Sequence, residues 1–233
     1  MTGSELYAPA AEELIRLIPK GFGLVKRWWV GKEVLIIGQP RAGKTTFREY
    51  LQYALFDDEK PTDETAEIES TKQIDIGIGQ RGNLKLNVKR AIDTPGQVGA
   101  VEHANLAFQE NPHGLIIVLD LTAPLDGEPD RASATWLKRF CRRYEAKWRV
   151  DRNRKNRLKA IVVIMSKADK LASGTIDERR KIYKEILDTE LKDARGKMLD
   201  GVAVLPCSMV TNPHGTRLMD NVVAYLAAAF SRK

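Results

Sequence analysis

The sequence predicts an α/β protein built as a three-layer sandwich: a six-stranded, mostly parallel sheet with one antiparallel edge strand, and helices on both faces. Three observations predict it. Six short apolar runs alternate with amphipathic stretches of helical length. Three of those runs, GLIIVLD, KAIVVIM and GVAVLPC, are continuous rather than alternating, as befits strands covered on both sides. Only one pair of runs is joined by a short polar turn, so the other strands need crossovers and must run parallel.

The elements follow in order. EVLIIG (33–38) is the first strand, and a helix follows from about Lys44 to Phe56. QIDIGIG (73–79) and LKLNVKRAID (84–93) alternate in polarity and are separated by QRGN, which predicts an antiparallel hairpin. GLIIVLD (114–120), KAIVVIM (159–165) and GVAVLPC (201–207) complete the sheet. Helices are expected near 100–109, 132–149, 176–194 and 215–230. The acidic, Pro61-containing stretch 57–73 reads as a mobile loop, and 122–130 as a second loop. In such sheets ligands bind beyond the carboxyl ends of the strands, so the polar motifs after four of these runs should meet along one rim.

Composition narrows the classes. The chain has 233 residues, which suits one domain with insertions. It divides into an amphipathic, basic extension over 1–31 and a main domain over 32–233. Cys141 and Cys207 are far apart, and His103, His113 and His214 are scattered, so neither a disulfide framework nor a zinc site is expected. No run approaches the roughly 20 apolar residues of a membrane span, and the first residues carry Glu5, Glu12 and Glu13 rather than a basic secretory leader. The expectation is a cytoplasmic protein, with peripheral contact at a membrane left open. The net charge of +7 is concentrated in one place. Between Lys138 and Lys159 eleven basic residues face only Glu145 and Asp151, so that segment carries +9 and the remainder −2.

The chemistry sits at the strand ends. Gly38-Gln39-Pro40-Arg41-Ala42-Gly43-Lys44-Thr45, followed by Thr46, fits GxxxxGK[ST] between a strand and a helix. Glycines let backbone N–H groups turn inward around phosphate oxygens, and the helix adds the positive end of its dipole. Lys44 would reach the β- and γ-phosphates, and the Thr45 hydroxyl would ligate Mg2+. Asp93-Thr94-Pro95-Gly96-Gln97 ends the third strand, where a carboxylate can hold Mg2+ and Gly96 can offer its N–H to a γ-phosphate. Ser166-Lys167-Ala168-Asp169 follows KAIVVIM, and Ser208-Met209 follows the last run.

With these motifs in this order, the chain resembles P-loop GTPases of the Ras-like small GTPase type, over about residues 32 to 230. The resemblance implies that Gln97 orients the attacking water. It implies that Asp169 accepts hydrogen bonds from guanine, that the Lys167 stem covers the base, and that Met209 offers a backbone N–H to it. Arg41, Ala42, Gly43, Thr46 and Ser166 would line the nucleotide. Ser166 departs from the family's asparagine and Val210 from its lysine, which puts affinity in doubt more than base choice. The first switch, near 57–73, should supply a threonine that senses γ-phosphate through Mg2+; Thr71 is assigned, with Thr65 and Thr62 as rivals. The second switch spans 93–110. No arginine finger is identifiable in cis, so slow GTP hydrolysis to GDP and phosphate is expected. The alternative is a hydrolytically inert nucleotide-binding module that recruits a larger assembly through its basic patch.

Three segments exceed a minimal switch. Trp136, Phe140, Tyr144 and Trp148 recur every four residues within the basic segment. Either the aromatics face the core and the charges are solvated, or the charges meet an anionic membrane, an acidic protein or, less favoured, a nucleic acid. At the start, Leu14, Ile15, Leu17 and Ile18 precede Pro19, and Trp28 and Trp29 stand beside Lys26 and Arg27. An extension packed on the domain and a helix lying on a bilayer, as in Arf-like GTPases, are both open. The long helix near 176–194 reads as solvated charge pairs or a surface for a protein effector or regulator. No cysteine lies near either end of the sequence, so prenylation is not expected.

Overall fold

The computed structural model describes residues 32–53, 69–71, 74–77, 85–93, 99–128, 131–151, 153–155, 157–192, 194 and 202–208, with 222 and 225. The extension 1–31 and nearly all of 215–230 lie outside these residues, although Val222 and Tyr225 are both helical. The strands are β1 (Lys32–Gly38), β2 (Glu69–Thr71), β3 (Ile74–Gly77), β4 (Lys85–Asp93), β5 (Gly114–Asp120), β6 (Ala160–Ser166) and β7 (Val202–Pro206). The helices are α1 (Lys44–Tyr53), α2 (Ala100–Glu110), α3 (Ser133–Val150) and α4 (Ser173–Glu190).

These strands form one sheet in the order β2-β4-β1-β5-β6-β7, with β3 also paired to β4. The four pairings from β4 across to β7 are parallel. The described sheet has seven strands, not the six expected, and two antiparallel segments at its edge rather than one. Both segments belong to one ladder: Thr71 opposes Ala91 and Ile74 opposes Val88, three steps onward matched by three steps back. Pairing therefore begins at Glu69, inside the stretch read as loop. Glu-Ser-Thr gives no apolar signal because an edge strand has a free side that tolerates polar residues.

The faces follow from handedness. The crossover from β1 to β4 runs one way along the sheet, and those from β4 to β5, β5 to β6 and β6 to β7 run the other. Right-handed connections in opposite directions lie on opposite faces, so α1 is on one side and α2, α3 and α4 are on the other. On the latter face Leu35, Ile37, Leu115, Ile117, Ile161 and Val163 pack in one cluster with Ala104, Trp136, Phe140, Tyr144 and Tyr183. On the alternate pleat Ile36, Ile116, Val118, Val162 and Ile164 are also fully buried, as two-sided coverage demands. Each such aliphatic side chain contributes about 1.5–3 kcal/mol by leaving water.

The aromatic series of α3 is core. Trp136, Phe140 and Tyr144 are fully buried and stack face to face at 5.6 and 5.7 Å, and Trp148 closes the row edge-on at 6.1 Å. Helix α4 starts at Ser173 rather than near 176, because the Ala172 carbonyl accepts from the N–H of both Thr175 and Ile176. It stops at Glu190; beyond it the Ala194 N–H turns to the buried Glu145 carboxylate at 3.0 Å.

At the amino ends of the strands, Asn111 ends α2 in a left-handed turn (φ 46°), which asparagine tolerates. Its side chain donates to the Lys155 carbonyl at 2.8 Å and accepts from the Arg157 N–H at 3.2 Å. The Arg157 guanidinium donates to Glu33 at 2.9 Å and lies against His113, whose Nδ1 is 3.2 Å from the Glu33 N–H. The loop entering β6 is thus tied to the starts of β1 and β5.

Candidate nucleotide site

The loop between β1 and α1 opens with a glycine that the sheet requires. A Cβ on Gly38 would lie 2.0 Å from the Val118 carbonyl oxygen of β5, and its φ is 149°. Arg41 (φ 56°) and Gly43 (φ 90°) are also left-handed. The left-handed turn costs Arg41 about 1 kcal/mol, and an observed outlier of this kind in a loop is a pointer to function. Alternation of right- and left-handed residues turns successive N–H groups to one side, the geometry of an anion-binding concavity.

Lys44 is 6% exposed although it carries a charge. Its Nζ donates back across the loop to the Gln39 carbonyl at 2.8 Å and the Gly38 carbonyl at 3.3 Å. The Phe47 N–H closes the first helical turn onto the Gly43 carbonyl at 3.0 Å. Ala42 is buried, Arg41 is exposed, and Thr45 and Thr46 are half-buried in the opening turn of α1.

Strand register places the other residues. Asp93 ends β4 level with Ile36 of β1 and Glu69 of β2. Thr71 opposes Ala91, two positions from Asp93 along the ladder, about 7 Å from that level. Val118 lies beside Gly38 and Ile164, Asp120 beside Ser166, and Met165 beside Pro206. The described strand ends thus form one continuous rim, which gathers the loop after β1, Asp93, the turn after β6 and Ser208. Gly96, Gln97 and Met209 lie outside the described residues.

The turn after β6 is held from three sides. The Ser166 hydroxyl, 1% exposed, donates to the Leu119 carbonyl at 3.0 Å. Lys167 is left-handed (φ 59°), and its ammonium forms a short ion pair with Asp120. The Asp169 carboxylate, exposed, accepts from the fully buried Ser208 hydroxyl at 2.8 Å. That bond ties one carboxylate oxygen to the rim. Burial, and then the charge of Asp169, push the Cys207 thiol up, so it stays protonated and packs as an apolar group.

Two residues that the motifs do not single out belong to this rim. Gln39 is 2% exposed, and its Oε1 accepts from the Asp120 N–H at 3.2 Å. Burial alone would raise the Asp120 carboxyl, but hydrogen bonds from Lys167 and from the Thr122 hydroxyl and N–H outweigh it and hold the group below the ordinary carboxylate range. The available signal was Asp120 itself, a lone carboxylate ending the apolar run GLIIVLD.

A Thr45 hydroxyl in the opening turn of α1 and an aspartate ending β4 are hard oxygen donors, the kind that suits Mg2+ shared with phosphates. Among the described residues there is no group of three or more His, Cys, Asp or Glu of the kind a protein-only metal cage would need. No described helix is long and apolar enough to cross a membrane.

No family model matches the chain, and no curated protein matches it. Solved structures do. The bacterial selenocysteine-specific elongation factor EF-Sec superposes with a TM-score of 0.51 at 16% identity, over 87% of this chain and 29% of that one. Translation elongation factor SelB from Methanococcus maripaludis, solved with the GTP analogue GppNHp, gives 0.49 at 16% identity, over 84% of this chain and 33% of that one. Both of these solved structures are of elongation factors. This chain spans about a third of their length, and what it shares with the bacterial factor is the α/β fold: a parallel sheet enclosed by helices.

Proposed function

We propose that the chain is a Mg2+-dependent switch that binds GTP and hydrolyses it to GDP and phosphate. The observation that carries this reading is the loop after β1, with its left-handed backbone and Lys44 buried across its mouth. Asp169, oriented by Ser208 on the same rim, supports guanine as the base. Lys44 draws charge from the β- and γ-phosphates as it develops, and Gln97 orients the water. Thr45 and Asp93 would hold Mg2+, which would supply further charge neutralisation. The switch loops near 57–73 and 93–110 follow the γ-phosphate. The register draws Thr71 about 7 Å below the level of Asp93, so either β2 shortens on GTP binding or Thr65 or Thr62 takes the metal-sensing role. The Ras-like form of the switch rests on the order of the motifs, with Gln97 in the water-orienting place.

Calorimetry with GTP, GDP and ATP tests base choice. Phosphate release by the chain and by Gln97→Ala tests hydrolysis: equal rates from the two, or none from either, would exclude the water-orienting role.

A second reading, an inert module that recruits an assembly, draws on α3. Lys138, Arg139, Arg142, Arg143 and Arg149 are exposed, whereas Glu145, the helix's one acidic residue, is 3% exposed. This helix leads from the nucleotide rim toward the opposite one, so an acidic protein or anionic membrane could engage its outer face while the nucleotide mouth stays open. Binding to anionic vesicles or an acidic polypeptide that does not weaken between low and moderate salt would count against such a surface.

A further inference from the structure

Ser166 stands where the resemblance expects an asparagine, and its hydroxyl proton is spent on the Leu119 carbonyl of the neighbouring strand. The crossing from the base-side turn to the phosphate loop is made by other residues. Gln39, second in the phosphate loop, is nearly fully buried and accepts the Asp120 N–H at 3.2 Å. The Asp120 carboxylate holds the Lys167 ammonium through one oxygen, Oδ2. Its other oxygen, Oδ1, accepts the Thr122 N–H at 2.8 Å and the Thr122 hydroxyl at 2.7 Å, which fixes the plane of the carboxylate. The side chain of Asp120 is 14% exposed and that of Lys167 is 32% exposed, so the pair is partly shielded from water. The Asp120 N–H and carboxylate thus face two different loops from the partly exposed end of an otherwise buried strand.

We infer that Gln39, Asp120 and Lys167 form a series relay joining the phosphate loop to the base-side turn, with Asp120 as the positioning residue between them. The inference rests on the nucleotide-binding reading above. A base seated against the Lys167 stem orders that side chain, its ammonium fixes Asp120 at the end of β5, and Asp120 holds Gln39 and with it the entrance of the phosphate loop. Base recognition then adds to phosphate affinity without the asparagine, and breaking either link uncouples the same two loops.

Links in series give a definite signature. Asp120→Asn keeps an acceptor for Thr122 and removes the charge that holds Lys167. Lys167→Met keeps the aliphatic stem and breaks the same ion pair from its other end. Gln39→Leu removes the acceptor on the phosphate side. Each single variant should weaken GTP·Mg2+ binding about tenfold, the scale of one charge-assisted or buried hydrogen bond. Any double variant should also lose about tenfold, not about a hundredfold. Inorganic triphosphate, which has no base, should bind all of them within about threefold of the unchanged chain.

Titration calorimetry on the full chain reads all of these affinities, and thermal unfolding without nucleotide reports whether each variant is folded. If Asp120→Asn does not fold, the cycle of Gln39→Leu with Lys167→Met leaves the Asp120–Thr122 turn intact and carries the same test. Multiplicative losses, unchanged GTP affinity, or an equal loss of triphosphate binding would each overturn the relay while leaving GTP binding by the unchanged chain in place. Absence of GTP binding by the unchanged chain would instead overturn the functional reading, and the relay with it.

Discussion

The two ends of the sheet are both polar, yet they are built on different terms. At the amino end, Glu33, Asn111, His113 and Arg157 satisfy one another and the backbone around them. The one left-handed residue there, Asn111, is accounted for by ending a helix. At the carboxyl end Gly38, Arg41, Gly43 and Lys167 all have positive φ, and a buried lysine turns onto the carbonyls of its own loop. Polar clustering does not separate the two ends. A run of left-handed residues in one loop, joined to a buried cation, does.

The largest expected effect is at Gly38. Its Cβ position is occupied by the Val118 carbonyl, a backbone atom of a central strand that cannot step aside. Gly38→Ala should cost about 3 kcal/mol or more of stability, the upper range of overpacking. Denaturant unfolding measures it. A loss under about 1 kcal/mol would mean that β1 and β5 separate easily and that the loop is not held by the sheet.

Next is a matched pair, one cation from each end. Lys44→Met should reduce GTP affinity about 30-fold, roughly the 2 kcal/mol of hydrogen bonds to a charged group. Arg157→Met should leave that affinity unchanged and lower stability by about 1 kcal/mol or less, since both members of its ion pair are partly exposed. Calorimetry and unfolding of both variants check the contrast. If Arg157→Met weakened GTP binding as much as Lys44→Met, the distinction between the two ends would fail.

Much of this was legible in the sequence because the strongest signals coincide with the deepest burial. GLIIVLD is β5 residue for residue, and KAIVVIM is β6 to within one residue at each end, because continuous β-branched runs have few alternatives to a two-sided strand. The spacing of 136, 140, 144 and 148 marked one aromatic face of α3, and burial decides that it faces the core, one of the two readings left open. The GxxxxGK[ST] pattern of the loop after β1 was readable because it sets particular residues at fixed spacing. Glu69–Thr71 was not readable: its pairing comes from the backbone of β4 and leaves no apolar trace. Asp120 was not singled out either. Its partners, Gln39 and Lys167, are distant in sequence and meet only once the sheet is assembled.

Acid provides a smaller test at the carboxyl end. The folded-state pKa of Asp120 lies below its ordinary value of 3.8, because the hydrogen bonds from Lys167 and Thr122 outweigh the desolvation that would raise it. An acid with a depressed pKa contributes stability at pH values above the unfolded-state value, and loses it as pH falls through the folded-state value. The difference in unfolding midpoint between the unchanged chain and Asp120→Asn should therefore be constant from pH 5 to 7 and shrink below about pH 4. A difference that persisted unchanged to pH 2 would remove the carboxylate charge from the account.

The smallest effect is expected inside α3, where it sharpens what an unsatisfied polar group means. The Tyr144 hydroxyl is buried with no well-formed hydrogen bond among the described residues, although the Trp148 indole N–H close by lowers its pKa against the effect of burial; the Trp136 indole N–H likewise makes no well-formed bond there. Burial, chiefly, pushes the Tyr144 hydroxyl up to about 12. These three groups lie in the aromatic row between helix and sheet, distant in kind from any motif at the rim. If an orphan polar atom were itself a mark of function, Tyr144→Phe should disturb GTP binding. If the ring is retained for its packing and the hydroxyl is only tolerated, removing it should leave binding unchanged and alter stability by no more than about 1 kcal/mol, in the stabilising direction. The alkaline limb separates these outcomes further. Above the ordinary tyrosine pKa near 10, the unfolded chain releases the proton that the folded chain keeps, so stability should fall between pH 10 and about 12 in the unchanged chain and fall less in Tyr144→Phe. A destabilised Tyr144→Phe would mean that the hydroxyl has a partner after all, and the aromatic row would then have to be counted with the saturated end of the sheet rather than as plain packing.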